Sequence, residues 1–274
     1  MNEKLIVMNR LLILFCLSSG LLLASNPPSE VKDLAFKRGE LLKYRVHYGL
    51  IDAGEAIVEV NEKKETFNNR SVFHVIGHGR SLGAFNFFFK VRDRYDSFID
   101  EETLLPHLFI RRVDEGGFII NQDYTFNHQK NTVKAKRTGT DQGRNIDGKL
   151  FEVPPYTQDI LSAFYYARSL DLSNYKAGDI ISLNTFFDEE IFPLQMKIIG
   201  RETVKTKAGK IKCIKVRPII QQGRVFKNEE DLTLWVSDDK NRIPVMLEAK
   251  VLVGSIKMAL KEYSGLAHQL ALDK

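Results

Sequence analysis

The sequence predicts a mainly β protein. The expected form is one large curved antiparallel sheet, or half-open barrel, with a single amphipathic helix packed against it at residues 157–170. Three observations carry this expectation. Apolar and polar residues alternate with a period of two along most of the chain, as half-buried antiparallel strands require. Turn signals separate the alternating runs at spacings of roughly 10–15 residues, which suits a meander. One segment alone shifts to a three- and four-residue period.

The first run sets Leu42, Tyr44, Val46 and Tyr48 against Lys43, Arg45 and His47; Ala56, Val58 and Val60 follow, then residues 72–77. Asp52 with Gly54 and the pair Asn68-Asn69 mark turns. Residues 82–89 hold a helical turn at most, because aromatic side chains crowd them. Residues 108–113, 123–126 and 132–136 continue the alternation, with turns at Gly116-Gly117 and at residues 127–131. The segment TQDILSAFYYARSL then places Ile160, Leu161, Phe164, Ala167 and Arg168 at helical spacing. Thr157 is the expected N-cap, Asp159 suits the positive end of the helix dipole, and Pro154 and Pro155 stop the preceding strand.

Strands resume at residues 180–187, 192–199, 202–207, 210–218, 231–236, 244–251 and 256–263. Lys207-Ala208-Gly209 joins two of them as a hairpin, and residues 237–242 form another tight connection. The alternation slips one phase between Cys213 and Ile214, so that strand is covered on both faces or carries a β-bulge. No linker divides the strand-rich halves, so residues 36–265 are read as one domain, preceded by a disordered segment at 26–35 and followed by a tail at 266–274.

Residues 1–25 read as a secretory signal, with basic Lys4 and Arg10, an apolar run, and small Ala24 and Ser25 before Pro27. The apolar run of about 13 residues is short of the roughly 20 that span a bilayer. Cys16 lies inside it, which leaves Cys213 without an intrachain disulfide partner and reads as a buried thiol. The net charge of +5 is spread along the chain. It permits peripheral contact with an anionic membrane, and without a basic block in an exported chain it gives no case for nucleic acid.

No constellation supplies a catalytic set, a metal site or a cofactor site. Residues 79–83 match G-x-S-x-G around Ser81, but the strand and helix alternation of that hydrolase fold is missing, so a glycine-flanked turn is the simpler reading. A hydrolase would need a histidine within about 3 Å of the Ser81 hydroxyl. His74 and His78 on one strand lie about 13 Å apart, too far to share a metal. Arg92, Asp93, Arg94, Asp96 and Asp100 read as ion pairs on a solvent face or across strands, and Asp188-Glu189-Glu190 as a hairpin turn.

The aromatic residues are more suggestive. One helix stripe cannot bury Phe164, Tyr165 and Tyr166 together, so the helix is enclosed or some rings line a cavity. Phe87, Phe89, Phe164, Tyr165 and Phe186 are the candidate lining residues for a lipid-like or other apolar ligand. The rival expectation is an envelope scaffold that recognises a protein partner by strand addition.

Several motifs resemble the exported bacterial family designated domain-of-unknown-function family 3108. They are Gly39-Glu40-Leu41-Leu42-Lys43-Tyr44, Tyr48-Gly49, Ala53-Gly54-Glu55-Ala56, Val91-Arg92-Asp93-Arg94-Tyr95 with Asp100, Leu105-Pro106, the run from Gln158 to Tyr166, and Gly209-Lys210 with Cys213. The resemblance implies a β-rich envelope protein of Gram-negative bacteria, in the periplasm or on the periplasmic face of the outer membrane. It implies no activity, and no residue inherits a role from it.

Overall fold

The computed structural model describes residues 34–49, 51–219, 231–250 and 254–273. The expected export signal at 1–25 and residues 26–33 lie outside the described residues. The N-terminal half supplies β1 (Leu41–Tyr48), β2 (Ile51–Val60), β3 (Glu65–Phe67), β4 (Arg70–Ser81), β5 (Val91–Asp100), β6 (Pro106–Glu115), β7 (Phe118–Asn127), β8 (Thr132–Gly139) and β9 (Ile146–Glu152). The C-terminal half supplies β10 (Ile180–Phe187), β11 (Glu190–Thr206), β12 (Gly209–Pro218), β13 (Leu232–Ser237), β14 (Pro244–Lys250) and β15 (Ser255–Ser264). Helix α1 (Gly83–Phe88) follows β4, and helix α2 (Ile160–Ser169) lies between β9 and β10.

All the strands belong to one antiparallel sheet, in the order β10-β11-β12-β13-β14-β15-β1-β2-β4-β5-β6-β7-β8-β9, with β3 added on β4. The halves meet where β15 pairs with β1. The two ends of the sheet are therefore β9 and β10, the strands on either side of α2 in sequence. The sheet curls until these ends approach, because Phe186 of β10 packs on Tyr124 of β7 and Phe151 of β9 at ring separations of 4.9 and 5.3 Å. Gln158 fills part of the gap: its N–H donates to Asn184 O, and its carbonyl accepts from Phe186 N–H, both at 2.9 Å. This is the expected half-open barrel with a packed helix.

Tight turns set the register. Asn68 and Asn69 both have positive φ, as do Gly116 and Gly117, which is the two-residue geometry that matches strand twist. The helix start differs from the expected one. Asp159, not Thr157, is the N-cap: its Oδ1 accepts from the Leu161 and Ser162 amides at 2.8 and 2.9 Å, and Ser162 Oγ accepts from the Asp159 amide at 2.9 Å. Thr157 instead donates its hydroxyl to Pro154 O. Gln158 makes the bridge to β10, and the helix begins after it. A ten-residue helix results, within the expected span.

The charged stretch at residues 92–100 forms strand β5 although its Asp and Arg residues interrupt any apolar alternation. It pairs along its whole length with β4 and β6. Strand β11 joins two expected strands into one of 17 residues, with a bulge at Ile198/Gly200. The phase slip in β12 reflects cover on both faces: Cys213 packs with Leu42, Ile211 and Trp235, while Ile214 packs with Leu172, Ile181 and Val216. Burial pushes the Cys213 thiol up to about 12, and its Sγ–H donates to Ile211 O, so it is an inert core thiol. Residues 266–273 dock on β12, where Leu270 is buried and Lys212 N–H donates to Ala271 O.

Candidate functional site

A partly open cavity of about 400 Å³ lies between the concave face of the sheet and α2. One wall comes from β1, β2 and β4, through Tyr44, Val46, Ala56, Val58 and Gly79. The facing wall comes from β10 to β14, through Ile181, Leu194, Val216, Leu234 and Leu247. Helix α2 closes one side with Leu161, Ala163, Phe164 and Ala167. Gly77 of β4 lets α2 pack close to the N-terminal wall: Leu161 Cδ2 lies 3.6 Å from the position a Gly77 Cβ would take. The volume lies within the roughly 300–1,000 Å³ of small-ligand sites.

The aromatic residues singled out in the sequence separate in space. Phe89 and Phe164 line the cavity. Tyr165, the next residue on the helix, points into a different cluster against Phe36, at a ring separation of 4.5 Å. Phe186 is enclosed in the cluster of Phe109, Tyr124 and Phe126. Phe87 is 87% exposed and Phe88 80% exposed, on the outer side of α1. Phe85, on the same short helix, faces the cavity beside Phe89. Helix α1 is thus an aromatic rim, with two rings turned in and two turned out.

Ionic groups close the two ends of the cavity wall. Arg168 of α2 binds both carboxylate oxygens of Glu40 at 2.7 Å and donates to Asn241 O and Ala35 O. Tyr165 Oη–H donates to the same Glu40. At the α1 end Glu115 reaches the cavity from the last position of β6, with Asp93 beside it on the same face of β5. Burial raises both carboxyls above the usual carboxylate range, and Glu115 further, because the Asp93 charge adds to its burial. Neither residue is visible as a site in the sequence; the alternation of β6 alone places Glu115 on the inner face.

Ser81 carries no nucleophile geometry. It is buried, its hydroxyl donates to Asn86 Oδ1 at 2.8 Å, and its Oγ accepts from the Val91 amide at 2.9 Å. No histidine is among its hydrogen-bond partners, so it anchors the entry to β5 as a turn residue. His74 is engaged by two carboxylates, Glu65 at 3.0 Å and Asp96 at 2.8 Å, and stacks on Phe98. Burial works against its charge, but those hydrogen bonds prevail and raise its pKa. Among the described residues no three His, Cys, Asp or Glu side chains group as a metal site.

Asp188 and Glu189 form the β10–β11 turn with positive φ at both. Their carboxylates fold onto the inner face of the opposite end of the sheet. Asp188 meets Arg111 at 2.7 Å, and Glu189 meets Arg137 at 3.0 Å and Arg144 at 3.2 Å. Gln122 also donates to Glu189, and Tyr124 Oη–H donates to it at 3.0 Å. This is the clasp that holds the two ends of the open sheet together.

No curated protein is significantly similar to the chain. Among solved structures, a beta-barrel-like protein of the DUF1849 domain from Brucella abortus is 7% identical, with a TM-score of 0.53 over 84% of this chain and 98% of that one. A candidate lipoprotein from Parabacteroides distasonis is 11% identical, with a TM-score of 0.32 over 85% of this chain and 99% of that one. The hypothetical protein CT021 from Chlamydia trachomatis is 7% identical, with a TM-score of 0.38 over 90% and 97%. The Brucella likeness is one of fold, and it agrees with a sheet curled towards a barrel. Residues 43–261 match the profile of DUF3108, a protein family of unknown function, and the chain belongs to that family.

Proposed function

We propose that the protein is an exported binding or carrier module for an apolar or lipid-like ligand. The cavity between the concave sheet and α2 carries this reading, because most of the surface it exposes is aliphatic or aromatic, with Glu55, Arg80, Arg168 and Arg242 among the few charged residues that line it. Each methylene transferred into it from water contributes about 0.8 kcal/mol before the costs of ordering. Export rests on the signal pattern of residues 1–25.

The test is native mass spectrometry of protein purified gently from a Gram-negative envelope, compared with Gly79→Leu. Gly79 lines the cavity, and a Cβ there meets only the Asp93 Cβ, at 3.7 Å. Leucine is therefore expected to grow into the cavity, leave folding intact and remove a lipid-mass adduct seen with the wild type. A clean apo mass after incubation with envelope lipids would overturn the carrier reading. So would an adduct that survives the substitution.

The outward rings suggest how a ligand is delivered. Phe87 and Phe88 stand exposed beside exposed Lys90 and Arg92, an apolar and basic rim suited to an anionic bilayer. Wild type is expected to float with phosphatidylglycerol vesicles, and Phe87→Ser/Phe88→Ser to bind at least about 100-fold more weakly, since each buried ring contributes about 1.5–3 kcal/mol. Equal flotation of the two proteins would remove the rim from the membrane reading. The scaffold alternative has less support. Of the two end strands, β9 carries Asp147, Lys149 and Glu152 and pairs with β8 through a bulge, and β10 is partly covered by Gln158, features that discourage strand addition.

A further inference from the structure

We propose that α1 is the gate of the cavity, and that the hydrogen bond between Ser81 and Asn86 is the latch that holds it shut. This inference rests on the cavity being a ligand site, and it names how a ligand enters and leaves.

Among the elements that line the cavity, α1 is the one that belongs neither to the sheet nor to the helix fastened by Arg168. It turns Phe85 inward, with Phe89 at its C-cap, yet none of its own residues is buried. It has six residues, no side-chain bond at its N-cap and no acidic residue in its first turn. A helix of that length is marginal in water, and an element without buried side chains opens before the rest of a fold.

Two backbone anchors bracket α1. Leu82 N–H donates to Ala53 O of β2 at 2.9 Å, and Gly116 N–H donates to Lys90 O at 2.7 Å. Just inside the first anchor, Gly83 has a φ of +53° and nothing within 4 Å of the position a Cβ would take. The backbone there can turn without strain or collision. Between the anchors, among the described residues, one side-chain hydrogen bond ties α1 down: Ser81 Oγ–H donates to Asn86 Oδ1 at 2.8 Å. Ser81 is itself fixed, because its Oγ accepts from the Val91 amide at 2.9 Å. The residues that match G-x-S-x-G thus supply a latch and a pivot: the serine holds Asn86, and the last glycine frees the start of the helix.

The test is stopped-flow fluorescence with N-phenyl-1-naphthylamine, an uncharged apolar probe that brightens on leaving water. Asn86→Ala removes the latch and puts a strong helix former in its place. A gate held less firmly opens more often with and without ligand. Association and dissociation are therefore both expected to quicken by about threefold to tenfold, the value of one hydrogen bond, with Kd nearly unchanged. Asn86→Asp keeps the acceptor oxygen and is expected to exchange the probe at wild-type rates. Faster dissociation with unchanged association in Asn86→Ala would make α1 a fixed wall, overturning the gate and leaving the carrier reading standing. So would unchanged rates in Asn86→Ala, or an Asn86→Asp variant as fast as Asn86→Ala. If the probe does not bind the wild type, the carrier reading itself fails and this inference with it.

Discussion

Arg168→Ala is expected to lower the unfolding free energy by about 3–5 kcal/mol, the range for removing one partner from a buried ion pair. The Arg168 side chain is 2% exposed, and its guanidinium forks onto both oxygens of Glu40, itself fully buried. Without it the Glu40 carboxylate keeps, among the described residues, the Tyr165 hydroxyl alone. The guanidinium also lies over the Tyr165 ring at 4.8 Å and ties α2 to the backbone at Ala35 and Asn241. One side chain therefore fastens the helix to the entry of β1 and to the β13–β14 connection.

The measurement is urea unfolding with an unchanged m-value. Arg168→Lys keeps a charge but loses the planar fork, and is expected to recover only part of the loss. The double variant Glu40→Leu/Arg168→Leu is expected to be more stable than the sum of its single changes, since neither charge is then left alone. A loss under about 1 kcal/mol for Arg168→Ala would place the pair among solvent-screened ones.

The sequence shows Arg168 as a position in a helical period, but nothing in it names Glu40, 128 residues away, as the partner. The same gap separates what is legible from what is not throughout this fold. Strand positions follow from local alternation, and the curved sheet with one helix follows from their number and spacing. Strand β5 escapes that logic, because Asp96 and Asp100 are buried in ion pairs, with Arg94 of the same strand and His74 of β4 for one and Arg70 of β4 and His107 of β6 for the other.

The cavity shows the same limit. Adjacent aromatic residues on a helix are turned about 100° from one another. Phe164 therefore faces the cavity while Tyr165 enters a separate core, and composition alone cannot say which does which. Glu115 could be placed on the inner face from the period of β6, but its burial next to Asp93 depends on how β5 pairs with β6. The family motifs at Gly39-Glu40 and Gln158-Asp159 hold the Arg168 partner and the α2 cap, so their resemblance reports the scaffold rather than a chemistry.

Glu189→Ala is expected to cost about 3 kcal/mol, and to do so locally. Glu189 sits on the turn between the edge strand β10 and β11, with its side chain 10% exposed. Its oxygens gather Arg137 of β8, Arg144 and the side chains of Gln122 and Tyr124 of β7. Arg137 is still more buried, at 4% exposed, and among the described residues would keep Asp188 alone, at 3.5 Å. Arg144 is partly exposed and can turn to water, which holds the loss to the lower end of the buried-pair range. The clasp joins the two ends of a sheet that has no continuous hydrogen-bond ladder between β9 and β10, so its loss should free the β10–β11 turn before the rest of the sheet. Amide hydrogen exchange reads this directly: β10 is expected to exchange faster in the variant, while β4 and β5, paired on both sides, keep wild-type protection. Uniform acceleration across all strands would mean that the clasp supports the whole fold. Unchanged exchange would mean that Gln158 and the Phe186 cluster alone hold the gap, so that the mouth of the sheet is fixed by packing and not by charge.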